Sequence, residues 1–311
     1  MNDKDKDLWT KRLLCQWLEG AQQALLDSVG YDEAVRLLRP HAFNAGAAGT
    51  QFARKRLGLE GHHLEDLFIS MRFAHFAMGR EDTRIRVSDI GGYIDFFTCP
   101  FERCTHLNCV FVCDLIGHGA LLGFDPDYDW HMIQSMCDGH EYCRKGCIRK
   151  GHGIEEMRKG SMTAVETPRF IMDDEEVAWF ARQYYGEFWA IFVRCLIEAS
   201  DGRHAVAALR PHMRQSGIAF ALEAEEILGT EDGRAMSDVL DMMFDILGID
   251  GIWNDEGMTF EVKECPFSRA EEIGDLVLVF LDAVVETLRP GAKVACRERM
   301  CHGDSRCLFR F

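Results

Sequence analysis

The chain has 311 residues, 47% hydrophobic and 28% charged, a balance that suits a globular protein with room for two domains of ordinary size. Its net charge of −16 and pI near 5.2 give a surface that repels phosphate backbones and anionic lipid, which excludes nucleic acid and membrane surfaces as natural partners and leaves small molecules or proteins. The opening residues, Met1 to Asp7, alternate acid and base without an apolar stretch, and no run approaches the ~20 apolar residues of a membrane helix, so a cytoplasmic protein is expected.

Asp7 to Val29 reads as a long apolar-rich helix, followed by a second helix holding Ala34-Val35-x-x-Leu38-Arg39-Pro40-His41 and a third over His63 to Met78. Two short alternating runs, Arg84 to Val87 and Tyr93 to Thr98, read as a hairpin. Cys99-Pro100-Phe101 then opens a helix to about Leu122; proline suits a first helical turn, which puts Cys99 at or near the N-cap. Strands around Asp129 to Met136 and Tyr142 to Ile148 close this half, and residues 151–172, rich in charge and containing Gly151, Gly153 and Pro168, read as a linker.

The same order then returns. A long helix over Asp173 to Ser200 precedes Ala205-Val206-x-x-Leu209-Arg210-Pro211-His212, a third helix over Arg234 to Leu247, and a hairpin from Gly251 to Asn254 and Met258 to Lys263. Cys265-Pro266-Phe267 leads into a helix to about Leu288, and strands over Lys293 to Met300 and Arg306 to Phe311 end the chain. Met136-Cys137-Asp138-Gly139-x3-Cys143 recurs as Met300-Cys301-His302-Gly303-x3-Cys307, and the offset between copies drifts only from 171 to 164. The fold expected is α+β: two tandem copies, residues 1–150 and 173–311, each with three helices, a hairpin, a helix and a hairpin, the helices packed on an antiparallel sheet. The fused pair is expected to be a monomeric pseudo-dimer, or else a homodimer.

Thirteen cysteines in a chain read as intracellular point to free thiols or metal ligands. Cys15 and Cys195 stand alone in apolar helical stretches and read as buried packing residues. A cysteine at a helix N-terminus favours thiolate, so Cys99 and its counterpart Cys265 are candidate nucleophiles or ligands. Cys137 with Cys143, and Cys301 with Cys307, flank turns whose glycines allow a positive φ, and two thiols brought together across a hairpin form half of a zinc site. Along the helix after Pro100, Glu102, His106, Cys109 and Cys113 share one face. The first repeat thereby gathers Cys99, His106, Cys109, Cys113, Cys137 and Cys143 as a soft-donor set for zinc or iron, or as packed core. The second repeat is richer in carboxylate. Arg39 and His41, beside a helix-interrupting proline, are candidate substrate-binding groups.

The Cys-Pro-Phe helix start and the closing Gly303-Asp304-x2-Cys307-x-Phe309 resemble the L-2-amino-thiazoline-4-carboxylate hydrolase family. The closing block with Glu298, Cys301 and Cys307 also resembles the four-vinyl reductase domain, a small-molecule-binding module. The first resemblance implies a small-molecule hydrolase of a C–N type bond, with Cys99 and His106 as catalytic candidates. The second implies a binding module in which a glutamate and cysteines hold zinc, here Glu298 with Cys301 and Cys307; Cys265 is the second-repeat counterpart of Cys99 as a candidate ligand. A redox or iron–sulfur role for the cysteines is the third alternative.

Overall fold

A computed structural model describes residues 3–78, 82–99, 107, 109–228, 235–254, 259–268 and 270–311. It is an α+β protein in two compact units, one formed by Met1–Gly30 with Asp174–Phe311 and the other by Tyr31–Asp173. The opening helix α1 (Asp3–Val29) is thus packed with the second repeat rather than with the elements that follow it, and Gly30, at φ 77°, ends it.

The unit Tyr31–Asp173 begins with α2 (Tyr31–Leu57) and α3 (Leu64–Ala77), then β1 (Thr83–Ser88) and β2 (Gly91–Phe96). A π-helical segment, Cys109–Leu115, continues into α4 (Ile116–Leu122). Then come β3 (Tyr128–Gln134), a 3-10 turn over Met136–Asp138, β4 (Cys143–Arg149), α5 (Ile154–Lys159) and the short β5 (Thr163–Ala164). The strands form one antiparallel sheet in the order β3-β4-β2-β1-β5. The span read as a linker therefore supplies a short helix and an edge strand.

In the other unit, α1 is joined by α6 (Asp174–Ala199), α7 (Gly202–Leu228), α8 (Ala235–Leu247), β6 (Asp250–Trp253), β7 (Thr259–Glu264), α9 (Glu271–Leu288), β8 (Ala295–Cys296) and β9 (Cys307–Arg310). The sheet order β6-β7-β9-β8 repeats that of β1-β2-β4-β3. Buried aromatic contacts hold α1 in place: the Trp17 ring lies 5.0 Å from both Trp189 and Phe280, and its Nε1 donates to Ser216 Oγ at 3.1 Å.

The duplication is visible atom by atom. Pro40 and Pro211 lie inside α2 and α7, and both helices run through them. Gly46 and Gly217 let those helices touch the next one: a Cβ on Gly46 would stand 2.1 Å from the Ile116 carbonyl oxygen, and one on Gly217 2.6 Å from that of Phe280. Phe96 pairs with Cys143 and Val262 with Cys307 in matching registers. The Met136 N–H donates to Cys143 Sγ at 3.3 Å, and the Met300 N–H to Cys307 Sγ at 3.2 Å. Gly139 and Gly303 take φ 87° and 93° at the turns, as the motif requires.

Two local readings change. Helix α9 begins at Glu271, so Cys265 is not its N-cap; Cys265 to Ser268 form a turn in which Ser268 N and Oγ donate to the Cys265 carbonyl at 3.3 and 2.9 Å. The last hairpin is shorter than expected, because Glu298 and Arg299 turn to the ion pairs described below and leave only Ala295 and Cys296 in β8.

Candidate functional site

Three free thiols meet in the first repeat. Cys109 and Cys113 come from the π-helical segment and Cys143 from the start of β4, and Cys113 is hydrogen-bonded to both of the others. Cys109 Sγ also contacts Ser135 Oγ at 2.9 Å, and Ser135 Oγ in turn accepts the Cys137 N–H at 3.0 Å. The offset between copies falls from 166 at the Cys-Pro-Phe block to 164 at Pro126 and Pro290, and the π-helical segment lies between them. The first copy thus has two more residues in the span that includes this segment, and π-helical turns are frequent at functional sites.

Two cations adjoin the central thiol. Lys145 is only 6% exposed and its Nζ lies 4.4 Å from the Phe96 ring centroid; the buried His75 ring lies tilted against the same ring, centroids 4.0 Å apart. The nearby buried carboxylate, Asp95, is committed to a bidentate pair with Arg144 at 2.6 and 2.8 Å. A buried ammonium favours a negative charge nearby, and Lys145 acts electrostatically on Cys113. Hydrogen bonds from Cys109 and Cys143 hold the Cys113 thiol well below its ordinary range despite burial, with Lys145 and His75 adding to the effect. Cys109 and Cys143 are pushed up, first by their hydrogen bonds to Cys113 and then by burial, so Cys113 is the most readily ionised of the three.

The second repeat shows what this fold holds without that chemistry. Sheet register matches Lys145 to Phe309 and Phe96 to Val262. The last turns of α8 carry Met243, Phe244, Ile246 and Leu247, all buried, where α3 carries His75. Val277 and Leu278 of α9 lie near Cys307 where Cys113 lies near Cys143. At the places of Lys145, His75 and Cys113 the second repeat thus carries apolar side chains, with Cys307 and three further thiols beside them.

Other expected residues fall elsewhere. Cys137 is disulfide-bonded, so it offers no free thiol. Cys99 is half-buried, and His106 lies outside the described residues. Arg39 is exposed, with its guanidinium 5.8 Å from the Phe43 ring, and His41 is half-buried. In the second repeat Glu298 faces Arg306 at 2.7 Å. Cys265, Cys301 and Cys307 are joined by Cys296, and the four thiols line one cavity of about 30 Å³ with Arg299, which is itself paired to Asp275 at 2.6 Å. Burial pushes Cys265 and Cys296 up to about 12 and raises Cys301 and Cys307, so all four are neutral thiols. Among the described residues, no group of three or more His, Cys, Asp or Glu side chains is arranged to hold a metal ion, and no helix is long and apolar enough to cross a membrane.

His75, Lys145 and Ser135 were not legible as site residues from motif spacing. One signal was available: in Cys143-Arg144-Lys145-Gly146-Cys147, strand alternation puts Lys145 on the same face as two cysteines. No family model, curated protein or solved structure matches the chain.

Proposed function

We propose that this protein is a thiolate-dependent hydrolase of a C–N or related bond in a small molecule, with its reactive centre in the first repeat and Cys113 as nucleophile. What supports this is the convergence of Cys109, Cys113 and Cys143, with the Cys113 thiol held well below its ordinary range by its two thiol neighbours and by the buried Lys145 and His75, in the repeat whose twin is apolar at the places of Cys113, Lys145 and His75. The resemblance to the thiazoline-carboxylate hydrolases points to the same bond type.

In this reading Cys113 Sγ attacks the electrophilic carbon, and the bond's electron pair moves onto the attached heteroatom. Lys145 offsets the negative charge passed from sulfur to substrate, which a dry site makes effective. His75 gives a proton to the departing nitrogen. Water then gives a proton back to His75 as its oxygen adds to the sulfur-bound carbon, and collapse of that adduct breaks the C–S bond and releases Cys113 as thiolate, which restores the starting state. Cys109, Cys143 and Ser135 position the sulfur.

A second reading, a zinc- or iron-holding binding module, draws on the four thiols around the second-repeat cavity. Their donor chemistry suits a soft cation, but the side chains as placed form no metal-holding group, and Lys145 already supplies the positive charge beside Cys113. Anaerobic purification with elemental analysis, followed by turnover of cyclic amidine and amide substrates, separates the two. Turnover retained by Cys195→Ser and lost in Cys113→Ser supports the hydrolase; a Cys113→Ser variant as active as the parent rules it out.

A further inference from the structure

The unit Met1–Gly30 with Asp174–Phe311 holds a pocket of about 360 Å³ between α1, α6, the end of α8 and the Cys265-Pro266-Phe267 turn. That volume is within the range of small-molecule sites. Leu14, Trp179 and Phe267 give it apolar walls, and Trp179, held edge-on by Phe180 at 4.8 Å, still leaves 44% of its surface exposed. Gly186 opens the middle of the pocket's α6 wall: a Cβ there meets nothing within 4 Å.

The polar groups are few and unequal. Glu187 is already paired with Arg194 at 2.7 Å. Arg182 has no carboxylate at ion-pair distance among the described residues; its one hydrogen bond goes to the Asp245 backbone carbonyl at 3.4 Å. Desolvation lowers the Arg182 pKa in spite of Asp245 and Glu175 nearby, which marks a guanidinium whose charge is under-compensated. Glu264 stands exposed on the lining and opposes a second negative charge.

We propose that this pocket binds a small aromatic monoanion, its ring against Trp179 and Phe267 and its delocalised charge on the Arg182 fork. A planar anionic group matches the guanidinium donors, and one negative charge satisfies Arg182 without overcoming Glu264. The site belongs to the second repeat and does not depend on Cys113, so the hydrolase reading and this one stand or fall separately.

Isothermal titration of the full chain with 3-phenylpropanoate, its primary amide and phenyl phosphate tests it. The acid is expected to bind at least roughly tenfold more tightly than the amide. Arg182→Gln should remove that preference while leaving amide binding in place. Gly186→Leu fills the opening and replaces a helical glycine with a better helix former; it should weaken acid binding roughly tenfold or more while the thermal midpoint holds or rises. Equal binding of acid and amide, tighter binding of the phosphate dianion, no saturable binding of the acid, or unchanged binding in a folded Gly186→Leu protein would each overturn the proposal.

Discussion

Replacing Lys145 by Met and Cys113 by Val, singly and together, isolates the charge pair at the centre of the site. Lys145 is 6% exposed and Cys113 is 8% exposed. Removing either partner alone leaves a buried charge without its counter-charge, a loss of about 3–5 kcal/mol where the survivor cannot neutralise itself. Lys145→Met also gives up the ring contact with Phe96, worth up to about 2 kcal/mol when desolvated. Removing both produces the composition of the second repeat, which carries Phe309 opposite Phe260 at the Lys145 position and aliphatic residues in place of Cys113. The double variant should therefore be more stable than the sum of the single losses allows, with a coupling of about 2–3 kcal/mol. Urea unfolding followed by tryptophan fluorescence at mildly alkaline pH measures it. Single losses that simply add would show that Lys145 and Cys113 do not neutralise each other.

The same pair fixes a pH dependence. Because the folded Cys113 pKa is depressed, its contribution is fully present above the ordinary thiol value and is lost as pH falls through the folded value. The parent should lose stability over that fall relative to Cys113→Val, and a constant difference between the two would count against a folded-state thiolate. Gly46→Ala drives a Cβ to 2.1 Å from the Ile116 carbonyl oxygen and 2.7 Å from the Ala120 nitrogen, both backbone, and should cost about 1–3 kcal/mol or more, whereas Gly49→Ala, with open space around its Cβ, should be neutral or stabilising in thermal melts. Gly303→Ala, forced to φ 93°, should cost about 1–2 kcal/mol by the same measurement.

Duplication was readable from the amino-acid order because the repeated residues are those whose geometry is least forgiving. Gly46 and Gly217 sit where helices touch backbone to backbone, and Cys143 and Cys307 accept matching backbone N–H groups. Of the expected donor set, Cys109, Cys113 and Cys143 meet, while Cys137 is disulfide-bonded, Cys99 does not figure among their interactions and His106 lies outside the described residues. Where α1 packs was not, because an apolar helical stripe records that it must be covered but not by which copy. Cys265 was misplaced for a related reason: Pro266 is as compatible with a turn as with a first helical turn, and the Ser268 hydrogen bonds decide for the turn. The place of Lys145 emerges only when the register of its sheet is compared with that of the second repeat, where Phe309 holds the matching position.

The charge state of a single sulfur tests the whole account most directly. Ultraviolet difference absorbance of native, anaerobic protein at neutral pH, parent minus Cys113→Ser, should show about one thiolate that disappears in the variant and on unfolding. Identical thiolate absorbance in the two native proteins would mean that Cys113 is an ordinary buried thiol, and that the first repeat holds no nucleophile of the kind described.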